Sequence, residues 1–296
     1  MTVVTMKIGI VISGGDVSGI NNFIFQVAKL ASAEITIFNG GIPGLLDKNH
    51  QEIAWRDLVD FSICSLPVIT SGRTTRKLMR SEYETIARKI KSLRLDVLIM
   101  AGGDGSLQFL NTLSEFDINC FGVGMTIDND VYGSDYTIGF STACEQIIKE
   151  VSRLRNTGRA LPGRVFMVEI LGGYCGELTL QSAIKSNADI ALIPEAQMPL
   201  EDLAERVRRK LREQNSVVIL CSEGYTREYS PGFQGAIDTM IKQLEPRIGV
   251  RIRKTIIGYG LRSGDPTCEE IYQGTIMANE VVRCIQSGMK NKAIII

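Results

Sequence analysis

Histidine is almost absent: the only one in 296 residues is His50, inside the polar stretch Asp47-Lys48-Asn49-His50-Gln51. A Ser-His-Asp or Cys-His catalytic site would have to be built on that one residue, and a histidine-rich zinc site is out of reach. Its polar neighbours predict a solvated loop position. Charge of one sign is also lacking. Lys plus Arg and Asp plus Glu both total 33, so neither nucleic acid nor a membrane surface is an expected partner. No CxxC pair occurs among the seven scattered cysteines, which suits free thiols in a reducing compartment better than a disulfide framework. No apolar run approaches a membrane span, and Met1 to Lys7 does not read as a signal peptide. A cytoplasmic location is the expectation. What is present is an ordinary globular composition, 44% hydrophobic and 22% charged, long enough for two domains or one divided α/β unit.

Against that background one stretch stands out, Thr126-Ile127-Asp128-Asn129-Asp130. It follows the mostly apolar run Ile118 to Val123 and precedes the turn residues Tyr132-Gly133-Ser134. In an extended segment residues i and i+2 point the same way, so Asp128 and Asp130 are expected to face one site. One carboxylate can then accept a proton while the other is held by a metal or a hydroxyl. A second carboxylate lies upstream in Gly102-Gly103-Asp104-Gly105-Ser106, after the strand-like run Asp96 to Ala101 and at the start of a predicted helix. Together the two read as a metal-assisted phosphoryl-transfer site.

The rest of the chain alternates strands with helices. Lys7 to Ile12 predicts a buried parallel strand, followed by Ser13-Gly14-Gly15-Asp16-Val17-Ser18-Gly19 and a helix from Ile20 to Ala33. Strand, glycine-rich turn and helix aim backbone N–H groups at phosphate. The turn is neither GxGxxG nor a P-loop, which disfavours a standard dinucleotide or Walker site. Glu34 to Asn39 predicts a strand, Gly40 to Gly44 a loop, and Ser71 to Lys77 a basic, hydroxyl-rich loop. Tyr83, Ile86, Ile90 and Leu93 mark a helix by their spacing. Glu145 to Arg155 predicts another helix, ended by a loop at Asn156-Thr157-Gly158-Arg159. Beyond it the pattern starts afresh with a strand from Arg164 to Leu171 and the turn Gly172-Gly173-Tyr174-Cys175-Gly176. Such alternation predicts an α/β chain of two doubly wound, parallel-sheet (Rossmann-like) domains. The expected division is 1–140 plus 263–296, a nucleotide-binding domain, and 141–262, a sugar-phosphate-binding domain.

Five motifs in order carry a resemblance: Ser13-Gly14-Gly15-Asp16, Gly102 to Ser106, Thr126 to Asp130, Tyr136-Thr137-Ile138-Gly139-Phe140, and Val168-Glu169-Ile170-Leu171-Gly172. The sequence resembles the phosphofructokinase family over nearly its whole length. The glycine-aspartate loop alone is shared with NAD and lipid kinases, which leave Asp128-Asn129-Asp130 unexplained. The resemblance implies that Asp128 is the base taking the proton from a sugar 1-hydroxyl, with Thr126 and Asp130 as substrate contacts. It makes Asp104 a magnesium ligand, with Gly103, Gly105 and Ser106 around the phosphates of ATP. Gly14, Gly15 and Arg73 fall at nucleotide contacts. Arg164, Arg253 and Arg262 fall at the arginines that grip a sugar 6-phosphate, the first two reaching a neighbouring subunit's site. Leu171, Gly172, Gly173, Glu223 and Tyr259 fall at further sugar-phosphate contacts. A homodimer or homotetramer with shared active sites follows from the same resemblance.

The chain departs from the family pattern in three places. Leu171-Gly172-Gly173 stands where Met-Gly-Arg is usual, Tyr259 where a histidine is common, and Gly124-Met125 before the aspartate motif where proline and then glycine or lysine are usual. Gly105 agrees with ATP as donor, because pyrophosphate users tend to carry aspartate there. The expected activity is ATP-dependent phosphorylation of fructose 6-phosphate. Left open are a related sugar phosphate, pyrophosphate as donor, and a weakly active regulatory or sugar-phosphate-binding subunit.

Overall fold

A computed structural model describes residues 6–47, 49–74, 76–229 and 236–296. Thr75 of the basic loop and Lys48 beside the histidine lie outside the described residues. The chain forms two compact units. The first comprises Met1–Thr126, Asp130–Thr142 and Arg262–Ile296, and the second Ile127–Asn129 and Ala143–Leu261.

The first unit is built around β1 (Lys7–Ser13), α1 (Ile20–Ala31), β2 (Glu34–Phe38), α2 (Gly41–Leu46) and β3 (His50–Ile53). It continues with α3 (Arg80–Ser92), β4 (Val97–Gly102), α4 (Asp104–Ser114) and β5 (Cys120–Gly124). Its strands lie in the order β10-β5-β4-β1-β2-β3, where β10 is Lys292–Ile294. The strands β1 and β4 are buried almost throughout, as their continuous β-branched and aliphatic runs require of strands covered on both faces. All pairings are parallel except β2 with β3. The chain leaves β1 through α1 towards β2 on one side, and leaves β4 through α4 towards β5 on the other. The strand order therefore reverses between β1 and β4, and in such sheets ligands bind beyond the carboxyl ends of the strands at that reversal.

The second unit contains α5 (Phe140–Ala160, entered from the first unit), β6 (Arg164–Ile170), α6 (Glu177–Ser186), β7 (Ile190–Leu192) and α7 (Leu200–Glu213). It goes on through β8 (Ser216–Ser222), α8 (Ala236–Ile248) and β9 (Ile252–Ile256). Its sheet, β7-β8-β6-β9, is wholly parallel. Its core includes Val165 and Met167 of β6, Leu203 and Val207 of α7, and Met240 and Leu244 of α8. The chain returns to the first unit through α9 (Cys268–Gln286) before β10. Among the described residues no helix is long and apolar enough to cross a membrane.

Several local expectations are corrected. Gly40 to Gly44 is not a plain loop: Gly40 and Gly41 take φ of 86° and 68° and launch α2, whose first turn accepts Pro43 because its missing N–H would have no helical partner there. Residues 156–159 continue α5 instead of ending it. Gly158 serves close approach there, since a Cβ on it would stand 2.5 Å from the Ser216 Cβ. β3 is an antiparallel edge in a sheet expected to be parallel. It holds His50, which packs 5.7 Å from the Phe38 ring instead of lying in a solvated loop.

All seven cysteines are thiols; Cys268 is exposed, Cys64 and Cys175 are half-buried, and the others are buried. Burial pushes the Cys120 thiol up to about 12, and burial first, then the Glu169 charge, raises Cys221. The thiolate is the reactive form. A thiol reagent at about pH 8 is therefore expected to label Cys268 first and Cys120 and Cys221 only after denaturation. Fast labelling of Cys221 in the native protein would contradict this packing.

Candidate active site

In the first unit, the carboxyl ends of β1 and β4 hold the glycine loops side by side. Ser13 pairs in register with Gly102, and the Ser106 hydroxyl reaches the Ser13 carbonyl at 3.3 Å. The basic loop joins them: Gly14 N–H donates to the Gly72 carbonyl at 3.2 Å, and the Ser71 hydroxyl donates to the Gly14 carbonyl at 2.9 Å. The segment after β5 docks at the same place, where Met125 N–H donates to the Gly102 carbonyl at 3.0 Å. Four stretches remote in sequence, around Gly14, Arg73, Asp104 and Thr126, are thus brought together at the reversal point. Glycine is needed at 102 because a Cβ there would press on the Ser13 carbonyl at 2.5 Å. At Gly14, Gly103 and Gly105 a Cβ would meet nothing within 4 Å, so those backbones border open space.

Asp104 is the first residue of α4 and is exposed. Its carboxylate stands where helix N–H groups also favour negative charge. No cluster of three metal-ligating side chains exists among the described residues. A cation bound through a single carboxylate, with water and nucleotide phosphates completing its shell, is the usual arrangement for magnesium. The exposed oxygens of Asp104 beside the open space at Gly103 and Gly105 fit that arrangement. Arg73 is exposed on the basic loop, whereas Arg76 is engaged by both oxygens of Glu82 at 2.8 and 2.6 Å. Arg262, expected at the sugar phosphate, donates to the Asp16 carbonyl at 3.4 Å and lies against Gly15.

The aspartate motif is not an extended segment. Asn129 takes φ of 54°, a left-handed conformation that asparagine tolerates better than most residues. The alternation expected to align Asp128 and Asp130 is lost. Asp128 is half-buried and Asp130 exposed. Thr126 is tied on both sides, its N–H donating to the Ile138 carbonyl at 3.1 Å and its carbonyl accepting from the Thr137 hydroxyl at 2.7 Å.

In the second unit, the ends of β6 and β8 carry the other candidates. Glu223 Oε1 accepts from the N–H groups of Gly172 and Gly173 at 3.1 and 2.8 Å, so the three residues form one cluster beside Leu171. Gly173 takes φ of 57°, and a side chain at that position would enter open space. Glu169, on β6, has its carboxyl raised above the usual range, by burial first and the Glu223 charge second. Arg164 and Arg253 sit elsewhere. Arg164 is the first residue of β6, and Arg253 pairs with Phe166 near the same end of the sheet. At about 3.3 Å per residue, that end is ~20 Å from Gly172, farther than an arginine side chain reaches. Tyr259 is 82% exposed.

One residue of the first unit escaped sequence reasoning. Glu270 is wholly buried in α9 and accepts from the N–H of Gly139 at 2.6 Å and of Thr142 at 3.1 Å. The spacing Thr267-Cys268-Glu269-Glu270 was a signal, but one for a capping box. Thr267 does cap α9, accepting from Glu270 N–H at 3.1 Å, while the Glu270 carboxylate turns to the Gly139 segment instead.

A family model described as phosphofructokinase matches residues 7–285. An ATP-dependent 6-phosphofructokinase of Spiroplasma citri is 33% identical over 298 residues, covering 97% of this chain and 86% of the relative. A pyrophosphate–fructose 6-phosphate 1-phosphotransferase of Dictyoglomus thermophilum is 28% identical over 302 residues, covering 96% and 87%. Among solved structures, phosphofructokinase from Saccharomyces cerevisiae superposes with a TM-score of 0.83 at 24% identity. That match covers 96% of this chain and 42% of the yeast chain, and it is a likeness of fold. On the family match and the 33% identity across almost its full length, this chain belongs to the phosphofructokinase family.

Proposed function

We propose that this chain is a sugar-phosphate kinase that transfers the γ-phosphoryl group of ATP to the 1-hydroxyl of fructose 6-phosphate, giving fructose 1,6-bisphosphate. The observation that carries the reading is the convergence of the Gly14, Gly72, Gly102 and Met125 backbones at the reversal between β1 and β4. Phosphoryl transfer needs positioning and charge neutralisation more than covalent chemistry; the converging backbones support the first, and the exposed Arg73 and Asp104 beside them support the second.

In this reading the first unit binds the nucleotide. Gly14, Gly15, Gly103, Gly105 and Ser106 border the phosphates, and the Arg73 guanidinium meets charge on the transferred group. Asp104 holds magnesium, which supplies neutralisation of phosphate charge when bound. Asp128 takes the hydroxyl proton, and Thr126 and Asp130 orient the sugar. Leu171, Gly172, Gly173, Glu223 and Tyr259 line the sugar-phosphate side. Arg164 and Arg253, at the far end of β6 and β9, serve a second copy's site, while Arg262 is the chain's own phosphate-binding arginine. Free thiols accord with a cytoplasmic setting.

A second reading, a kinase of a related sugar phosphate, is favoured by the open space at Gly173, where the family's arginine would stand. Steady-state assays of ATP and pyrophosphate against a panel of phosphorylated sugars test both. ATP is expected to exceed pyrophosphate in kcat/KM, because an aspartate at position 105 would place charge where Gly105 leaves room. Turnover with pyrophosphate and none with ATP would reverse the donor. Turnover of another sugar phosphate alone would select the second reading.

A further inference from the structure

The buried carboxylate of Glu270 holds the junction between the Tyr136–Phe140 turn and the first turn of α5. Besides the two backbone N–H groups of Gly139 and Thr142, it accepts from the Thr142 hydroxyl at 3.0 Å and the Ser141 hydroxyl at 3.1 Å. The backbone is shaped around it. Gly19, the N-cap of α1, takes φ of 90°, and a Cβ there would stand 2.5 Å from the Glu270 Cγ. Gly139 takes φ of 108°, and a Cβ there would stand 2.5 Å from the Val17 Cβ. The carboxylate therefore sits where the first glycine loop meets the Tyr136–Phe140 turn.

That turn carries Thr126. Thr137, wholly buried, donates its hydroxyl to the Thr126 carbonyl at 2.7 Å. Ile138 accepts from Thr126 N–H at 3.1 Å and donates to the Gly124 carbonyl at 3.0 Å. Fixing Gly139 fixes these bonds, two residues ahead of Asp128. Burying a carboxylate is costly unless donors satisfy it; burial raises its pKa above the usual range, and the Gly139 and Thr142 N–H groups act against that rise. Its own helix does not need it as a cap, since Thr267 fills that role in α9; the donors it takes, Gly139 and Thr142, lie at the start of α5, so it ties that helix's N-terminus to the turn before it.

We propose that Glu270 is a positioning residue: by holding Gly139 and Thr142 it locks the turn whose Thr137 and Ile138 grip Thr126, and so sets the placement of the base Asp128. The proposal rests on the kinase reading above. Two variants test it. Glu270→Gln puts an NH2 group against an N–H donor, and Thr137→Val keeps the shape but removes the hydroxyl. Each is expected to lower kcat per folded site about 10–100-fold, with KM for ATP changed less than about threefold. The double variant should lose little more than the worse single one, because both act through one connection. Hydrogen exchange supplies a readout independent of turnover. Amides of Thr126 to Asp130 should exchange faster in Glu270→Gln, while those of β6 and β8 stay as in the wild type. A purely structural role would lower Tm, leave kcat per folded site within about twofold and give additive losses. That result, or unchanged exchange at 126–130, overturns the proposal. Should Glu270→Gln not fold, Thr137→Val decides by the same two readouts. A wild-type protein that phosphorylates no sugar phosphate would overturn the kinase reading, and exchange would still decide the mechanical link.

Discussion

Asp128→Asn is expected to lower kcat by ~10²–10⁴, the range for loss of a general base. The amide keeps the side chain's size but cannot take the hydroxyl proton. Asn129, which sets the left-handed bend, is untouched. The start of the motif is anchored through the backbone of Thr126 and the Thr137 hydroxyl, which the substitution leaves in place. The glycine loops proposed to border ATP follow β1 and β4 of the first unit, so ATP affinity should stay within about twofold of the wild type. Steady-state kinetics with equilibrium nucleotide binding checks both parts. A variant keeping more than about half of the wild-type kcat would remove Asp128 as the base.

Mixing two impaired variants is expected to restore activity at sugar-phosphate concentrations below the raised KM. Arg164 and Arg253 share one end of the second unit's sheet, and Gly172, Gly173 and Glu223 share the other. If both ends bind sugar phosphate, they serve different sites, and the economical arrangement is a closed oligomer in which each copy completes its neighbour's site. Losing one charge-assisted phosphate contact costs roughly 1.5–3 kcal/mol, or one to two decades of affinity. Arg164→Ala should therefore raise the sugar-phosphate KM steeply while ATP binding is kept. When Arg164→Ala chains are reshuffled with equal Asp128→Asn chains, about a quarter of the sites receive both an intact base and an intact arginine. Activity should rise towards that fraction. Verified reshuffling with no return of activity, or an active monomer by light scattering, would overturn the shared-site arrangement.

Much of the fold was legible because its causes are local. β1, β4 and β8 carry apolar runs with turn residues after them, and β6 one interrupted only by Glu169, and the helical spacing of Ile86 and Ile90 reports the buried face of α3 directly. The misreadings have local causes too. Glycine at 41 and at 158 predicts a break, yet one launches a helix and the other lets a helix approach Ser216. His50 lay among polar residues, and only pairing with β2 made its segment a strand. At the site, residue types and their order suggest candidates: a base, a hard-cation ligand and glycines for a phosphate-binding loop. Their assembly could not be read in the same way. The Gly14–Gly72 and Gly102–Met125 bonds join segments that no local pattern relates.

The sequence by itself determined the α/β alternation and the family, because these depend on side-chain pattern and backbone permissiveness over a few residues. The tertiary structure alone decided three things. It put the strand reversal between β1 and β4, which gathers four remote loops. It set Arg164 and Arg253 at the opposite end of the sheet from Glu223. It turned Glu270 from a helix cap into the buried anchor of the Gly139 turn. Each depends on which groups meet across long stretches of chain, and a buried polar group bonds to the partners that packing brings to it.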